Sequence, residues 1–213
     1  MRIEHPIPPL YGPDSEILIL GSFPSVKSRE AMFFYGHPQN RFWRILAALC
    51  GEAVPQTIEE KKRLILSHGF ALWDVIASCE IVGSADSSIT NVIPNDLRPI
   101  LEGSRVRRIF CNGGASFRLY QRYIRPVTGI EAVLLPSSSP ANASWSLDRL
   151  IEAWALIPAP LRKEWRLDIF GQGEWLHMLN EMIDKKGLQE SAKINPAILS
   201  FIILASFSLN DLL

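Results

Sequence analysis

The sequence predicts an α/β fold built on a mainly parallel, four-stranded sheet, and three observations predict it. Four short apolar runs, EILIL (16–20), FALWDV (70–75), RRIFC (107–111) and EAVLL (131–135), have the length and composition of buried strands. Each runs into a loop of small or polar residues: GSFPS, IASCEIVGS, NGG and PSSSP. Helical patterns fill the intervals, and strands alternating with helices build a parallel sheet.

Taken in order, the first strand ends at GSFPS, and the next pattern, 40–50, opens with Asn40 directly ahead of RFWRILAAL, an N-cap arrangement. A second helix spans 57–67 before the strand at 70–75, and Asn95 with Asp96 after Pro94 reads as a further helix start. The remaining helices cover 115–124 and 146–156, each packed between strand and loop signals. Ligands in such sheets bind beyond the carboxyl ends of the strands, where GSFPS, NGG and PSSSP all fall. A functional site is therefore expected across that rim.

Composition narrows the chemistry. The chain has 213 residues, 47% of them hydrophobic, enough for one domain with an appendage. Lys+Arg 22 balances Asp+Glu 22, so nucleic-acid contact would have to come from local groups instead of a basic surface. Three dispersed cysteines (Cys50, Cys79, Cys111) suit buried thiols in a reducing, cytoplasmic setting. Neither they nor His5, His37, His68 and His177 have metal-ligand spacing, and the start MRIEHPIPPL has no signal-peptide character. No metal and no cofactor are expected.

Beyond residue 157 the pattern changes. IPAPLRKEW reads as a linker, GEWLHMLNEMIDKK as an amphipathic helix, and INPAILSFIILASFSLNDLL as a very apolar end. The expected organisation is a domain over 1–157 and a C-terminal extension over 158–213. The apolar run falls short of the roughly 20 residues of a membrane span, so an accessory helix, packed or partner-binding, is preferred to membrane association.

Several chemistries lack their motifs. There is no GxGxxG, GxxxxGK[ST] or GxSxG, and Ser137 to Ser139 have no evident histidine partner. Only Asp74 stands directly at a strand end, since Glu30 and Asp86 lie in longer connections, so a two-carboxylate site is not expected. What remains at the rim is amides, aromatics, serines and glycines, groups that hold a planar heterocycle and a phosphate.

Three segments, GSFPS after the first strand, FFYGHPQNRFW before the next helix and SSSPANASWSLDRL after the last strand, resemble the uracil-DNA glycosylase superfamily. The resemblance covers roughly residues 10 to 157 in the right order, and FFYGHPQNRFW ties it most closely to the hypoxanthine-DNA (deoxyinosine) glycosylase branch, with mismatch-specific uracil/thymine glycosylases as cousins. It implies a three-layer αβα sandwich that flips a damaged base from DNA and hydrolyses its N-glycosidic bond without a metal.

The resemblance also implies roles, each with a plainer alternative. Asn40 would polarise the attacking water through its carbonyl, or merely cap its helix. Tyr35 would stack on the base, or pack in the core. Gly21, Ser22 and Phe23 would line the base, or form a tight turn. Better-known superfamily members carry a catalytic Asp or Asn where this chain has Phe23, which shifts the load to Asn40 and argues against robust uracil excision. Asp74 would orient a water or accept from a base N–H, or serve as a cap or ion-pair partner. Asn91 would read a base edge, or form an Asx-turn.

Arg41 is expected on a phosphate, and Ser137, Ser138, Ser139 and Pro140 around phosphates flanking the flipped nucleotide, unless the loop only caps the next helix. Asn142 and Ala143 fall where relatives insert a wedge, here with small side chains. Arg118, Arg122 and Arg125 read as a solvated face. Only Lys27 lies within the core motifs, so no Schiff-base lyase is expected. The expected protein is a monomeric, monofunctional glycosylase on double-stranded DNA containing a deaminated base, nucleoid-associated if prokaryotic. Mismatch-type uracil excision and a catalytically inactive damaged-DNA binding module are the alternatives.

Overall fold

Burial on both faces makes a strand uniformly apolar, and the first long strand shows it. In the computed structural model, which describes residues 2–157, 167–170 and 192–195, all five residues of Ile17–Gly21 are buried. In chain order the first unit contains strands β1 (Arg2–Glu4), β2 (Ile17–Gly21), β3 (Phe70–Asp74), β4 (Ile76–Glu80), β5 (Thr90–Pro94), β6 (Arg108–Asn112) and β7 (Ala132–Leu135). Its helices are α1 (Val26–Glu30), α2 (Phe42–Cys50), α3 (Ile58–Ser67), α4 (Arg98–Glu102), α5 (Gly114–Tyr123), α6 (Arg125–Thr128) and α7 (Leu147–Trp154).

The four expected strands form one parallel sheet in the order β3-β2-β6-β7. Side chains alternate across it. Ile17, Ile19, Phe70, Leu72 and Phe110 join Phe42, Ile45, Leu46, Ile65, Leu150 and Trp154 from α2, α3 and α7 on one face. On the other, Leu18, Leu20, Ala71, Ile109 and Cys111 join Ile100 and Tyr120 from α4 and α5. Two apolar layers on a sheet covered from both sides make the three-layer αβα sandwich.

The helix starts follow local chemistry. Thr57 accepts from Glu60 N while the Glu60 carboxylate accepts from Thr57 N, a complete capping box for α3. Ser146 caps α7 through Arg149 N. The serine loop therefore does not serve as that helix's cap.

One stretch departs from the sequence pattern. IASCEIVGS is expected as loop, but Ile76–Glu80 is β4, the centre of an antiparallel sheet ordered β1-β4-β5. Val75 N and Ile76 N donate to Gly21 O and Ser22 O, fastening the start of this excursion to the end of β2.

By compactness the chain divides into Met1–Pro160 and Leu161–Leu213. Within the second unit Leu167–Phe170 (β8) and Ala192–Asn195 (β9) pair in parallel. The helix expected at GEWLHMLNEMIDKK and the apolar run after Asn195 lie outside the described residues. Among the described residues no helix is long and apolar enough to cross a membrane.

Candidate active site

Parallel register brings Gly21, Asp74 and Asn112 to one rim, since Gly21 pairs with Asp74 and β6 ends at Asn112 beside β2. A cleft of about 330 Å³ opens there, within the range of small-molecule sites (roughly 300 to 1,000 Å³). Of the expected site residues, Gly21, Ser22, Phe23, Tyr35, Asn40, Asp74, Ser137, Ser138, Ser139 and Pro140 line it. Arg41, Asn91 and Asn142 are not among the lining residues.

Asn40 sits at the mouth of α2 in a fixed orientation. Its Oδ1 accepts from Phe42 N at 3.0 Å and from Ser138 Oγ at 2.9 Å, which occupies both carbonyl lone pairs. Asn40 supports the first turn of α2, but Arg41 and not Asn40 stands at the N-cap position, and the expected water-accepting carbonyl is already engaged. What Asn40 keeps is its Nδ2, which bonds to none of the described residues. Ser138 is locked from behind, with Oγ accepting from Asn112 Nδ2 at 2.9 Å and N donating to Asn112 Oδ1 at 2.9 Å. Ser138 is fully buried, so it clips Asn40 to Asn112 and cannot reach a phosphate, contrary to expectation.

Asp74 is held by a residue from the N-terminal segment. His5 Nδ1 accepts from Ile7 N at 3.2 Å, which leaves Nε2–H to donate to Asp74 Oδ2 at 2.8 Å. Both side chains are buried, and Asn95 Nδ2 secures the Asp74 carbonyl at 2.9 Å. The other carboxylate oxygen lies over Gly21: a Cβ there would meet Asp74 Oδ1 at 2.1 Å. Only glycine fits. Gly21→Ala should force Asp74 away from His5 and cost about 1 to 3 kcal/mol by overpacking. A lower urea midpoint at unchanged m is the expected result.

Tyr35 takes a left-handed backbone, φ 51°, a conformation costing a non-glycine residue about 1 to 2 kcal/mol. Its ring stacks on Phe42 with centroids 3.7 Å apart, which covers one face and leaves a base only the opposite one to stack on. Burial first, and then the Asp74 charge, hold its phenol well above the ordinary range, against a weaker opposing effect of the Asn112 amide. The hydroxyl makes no hydrogen bond of good geometry among the described residues. Phe23 is buried, meets the His5 ring edge-on at 5.8 Å and carries the Arg29 guanidinium 5.7 Å above it, an apolar wall with a cationic cover.

Three expectations are corrected. Arg41 does not point to phosphate: its guanidinium donates to the carbonyls of Ser138, Ser139, Asn142 and Trp145, at 3.2, 2.5 and 3.0 Å for the first three. Asn91 is exposed with φ 50°, and its amide donates to Glu80 Oε2 at 2.9 Å, which ties it to the antiparallel sheet. Asn142 Nδ2 turns into its own loop, donating to Ser137 O at 2.9 Å. Ser137 and Ser139 accept from Ser139 N and Ala141 N and keep their O–H groups available.

Some participants carry no sequence signal. Asp86 comes to the cleft from a distant loop, its Oδ1 accepting from Ser22 Oγ at 2.7 Å. Although its outer side faces solvent, burial against the cleft and the Asp74 charge push its carboxyl up. Asp74 is therefore not the sole carboxylate at the rim. Nucleophiles are subdued: burial pushes the Cys111 thiol up to about 12, and Glu30, bonded at 2.8 Å, raises the Lys27 ammonium. Neither suits covalent catalysis. Arg118, Arg122 and Arg125 are exposed, with Arg125 paired to Glu131, as a solvated face requires.

The model of the family described as the uracil DNA glycosylase superfamily matches residues 8–157. A protein of Methanosarcina acetivorans named hypoxanthine DNA glycosylase is 36% identical over 148 residues, 69% of this chain and 93% of that protein. A protein of the same name from Methanosarcina barkeri is 33% identical over 150 residues, 70% of this chain and 93% of its own. A solution NMR structure from Methanosarcina acetivorans, named for uracil DNA glycosylase, superposes with a TM-score of 0.63 at 34% identity, covering 73% of this chain and 96% of that one. The chain belongs to the uracil DNA glycosylase superfamily.

Proposed function

We propose that the protein is a monofunctional DNA glycosylase that acts as a monomer on double-stranded DNA and releases a deaminated purine, hypoxanthine. The observation that carries this reading is the make-up of the cleft: the aromatic Tyr35, one amide N–H₂, serine hydroxyls and a buried carboxylate, with an apolar wall at Phe23. Such a set grips and polarises a flipped base without offering a covalent nucleophile. The names of the two Methanosarcina relatives support hypoxanthine as the base.

In this reading the face of Tyr35 turned away from Phe42 stacks on the purine, worth about 1 to 3 kcal/mol. Asn40 Nδ2 donates to the departing base and offsets its growing negative charge. Ser137, Ser139 and Pro140 face the flanking phosphates. Residues 1–157 form the working domain, with 158–213 as an extension, and the site of action is the cytoplasm, at the nucleoid if the source is prokaryotic.

Single-turnover assays on duplexes carrying one hypoxanthine, uracil or xanthine, with alkali to reveal abasic sites, test the reading. Hypoxanthine should be released fastest. Uracil released fastest would favour a mismatch-type uracil glycosylase, and binding without release from any lesion would favour a damaged-DNA binding module.

A further inference from the structure

The geometry points to Asp74 as the acceptor that holds the attacking water, with His5 positioning it, an assignment that rests on the glycosylase reading above. Hydrolysis needs an acceptor within hydrogen-bond reach of the water. Asn40 cannot serve, because both lone pairs of Oδ1 are taken by Phe42 N and Ser138 Oγ. Asn112 Oδ1 accepts from Ser138 N and the Ser137 and Ser139 hydroxyl oxygens accept backbone N–H groups, and none of these neutral oxygens is basic enough to take a proton from water. Asp86 spends one oxygen on Ser22 and sits at the exposed edge of the cleft.

Asp74, like Asp86, has one carboxylate oxygen bonded, but it differs in burial. It is 5% exposed yet lines the cleft, and His5 fixes one carboxylate oxygen at 2.8 Å. The other oxygen, Oδ1, takes no hydrogen bond from the described residues and lies over the Cα of Gly21. The Tyr35 hydroxyl, buried and without a hydrogen bond of good geometry among the described residues, reaches the same place, 3.4 Å from where a Gly21 Cβ would stand. An O–H donor and a carboxylate acceptor thus meet beside Gly21, whose missing side chain makes room for Asp74 Oδ1 at the edge of the cleft. There the phenol donates to the water's oxygen and Asp74 Oδ1 accepts a water proton.

The step balances as follows. The C1′–N9 bond breaks with its electron pair passing to the purine, and the water oxygen forms the new C1′–O bond. The water's proton goes to Asp74 Oδ1 and then to solvent, while the purine anion takes a proton from solvent. His5, whose Nδ1 accepts from Ile7 N, only donates Nε2–H and exchanges no proton in this step, so it is a positioning residue.

Four variants test the assignment: Asp74→Asn, His5→Gln, His5→Leu and the double His5→Leu/Asp74→Asn. For each, single-turnover release of hypoxanthine is measured with affinity for a non-cleavable 2′-fluoro duplex and the melting temperature. Asp74→Asn should slow release by about 100-fold or more, the scale of a lost general base, at nearly unchanged affinity. His5→Gln, which restores an N–H donor, should stay within about fivefold of wild type, and His5→Leu should fall at least tenfold, because the donor alone distinguishes them. The double variant should be no slower than Asp74→Asn, since residues acting as a unit are non-additive.

Release by Asp74→Asn within about threefold of wild type, or multiplying effects in the double variant, would overturn the assignment. If Asp74→Asn fails to fold, the His5→Gln and His5→Leu pair decides: equal rates overturn it. A wild-type protein that releases no base overturns the glycosylase reading, and this inference with it.

Discussion

Asn40→Ala should slow single-turnover base release by about 100- to 1,000-fold, the cost of removing one preorganised donor from a developing anion. The amide's polarity dictates the design of the test. Its carbonyl supports structure, holding Phe42 N and the buried Ser138 hydroxyl, whereas its N–H₂ is the end left for a ligand. Alanine removes both ends, and leaving Ser138 without an acceptor adds a stability loss of about 1 to 3 kcal/mol. Asn40→Asp separates the two, because a carboxylate still accepts from Phe42 N and Ser138 Oγ but offers oxygen where the donor stood. Near-wild-type melting with activity as low as alanine's places the function on Nδ2. Activity restored by aspartate would make Asn40 a support for the first turn of α2 and nothing more.

How much of this was legible in the sequence follows from what each feature depends on. The parallel strands were readable because Ile17 to Leu20 and Phe70 to Leu72 are buried from both sides, and two-sided burial writes itself as an unbroken apolar run. β4 and β5 were not, because IASCE, though largely buried, carries Ser, Cys and Glu, and TNVIP, largely exposed, carries Thr and Asn, so neither reads as an apolar run. The motif residues of the cleft were equally plain, since GSFPS, FFYGHPQNRFW and PSSSP occupy strand ends or helix starts. Their partners were hidden by distance along the chain: His5 is 69 residues from Asp74, Ser22 is 64 from Asp86 and Asn112 is 26 from Ser138. The NGG loop did place Asn112 at the rim, and an amide ending a strand beside PSSSP was the one available signal for it.

Arg41 is where residue chemistry and residue role part, and its replacement is expected to have the second-largest effect. An arginine beside serines at a nucleic-acid site fits a phosphate contact, yet its fork is spent on four carbonyls of the loop that follows β7. Arg41→Ala should therefore cost about 2 to 4 kcal/mol, as charge-assisted bonds are lost and loop carbonyls are left without donors. Arg41→Lys should recover little of it, because a point ammonium cannot span acceptors that a planar fork reaches together. DNA affinity should fall as the 137–145 loop loosens, taking Ser137, Ser139 and Pro140 out of position. The salt dependence decides between the two roles. A lost phosphate contact lowers the slope of log K against log salt by about 0.9, whereas a lost structural clamp weakens binding at unchanged slope. An unchanged slope with a lowered melting temperature is the expected pair of results; a reduced slope with normal melting would return Arg41 to the phosphate.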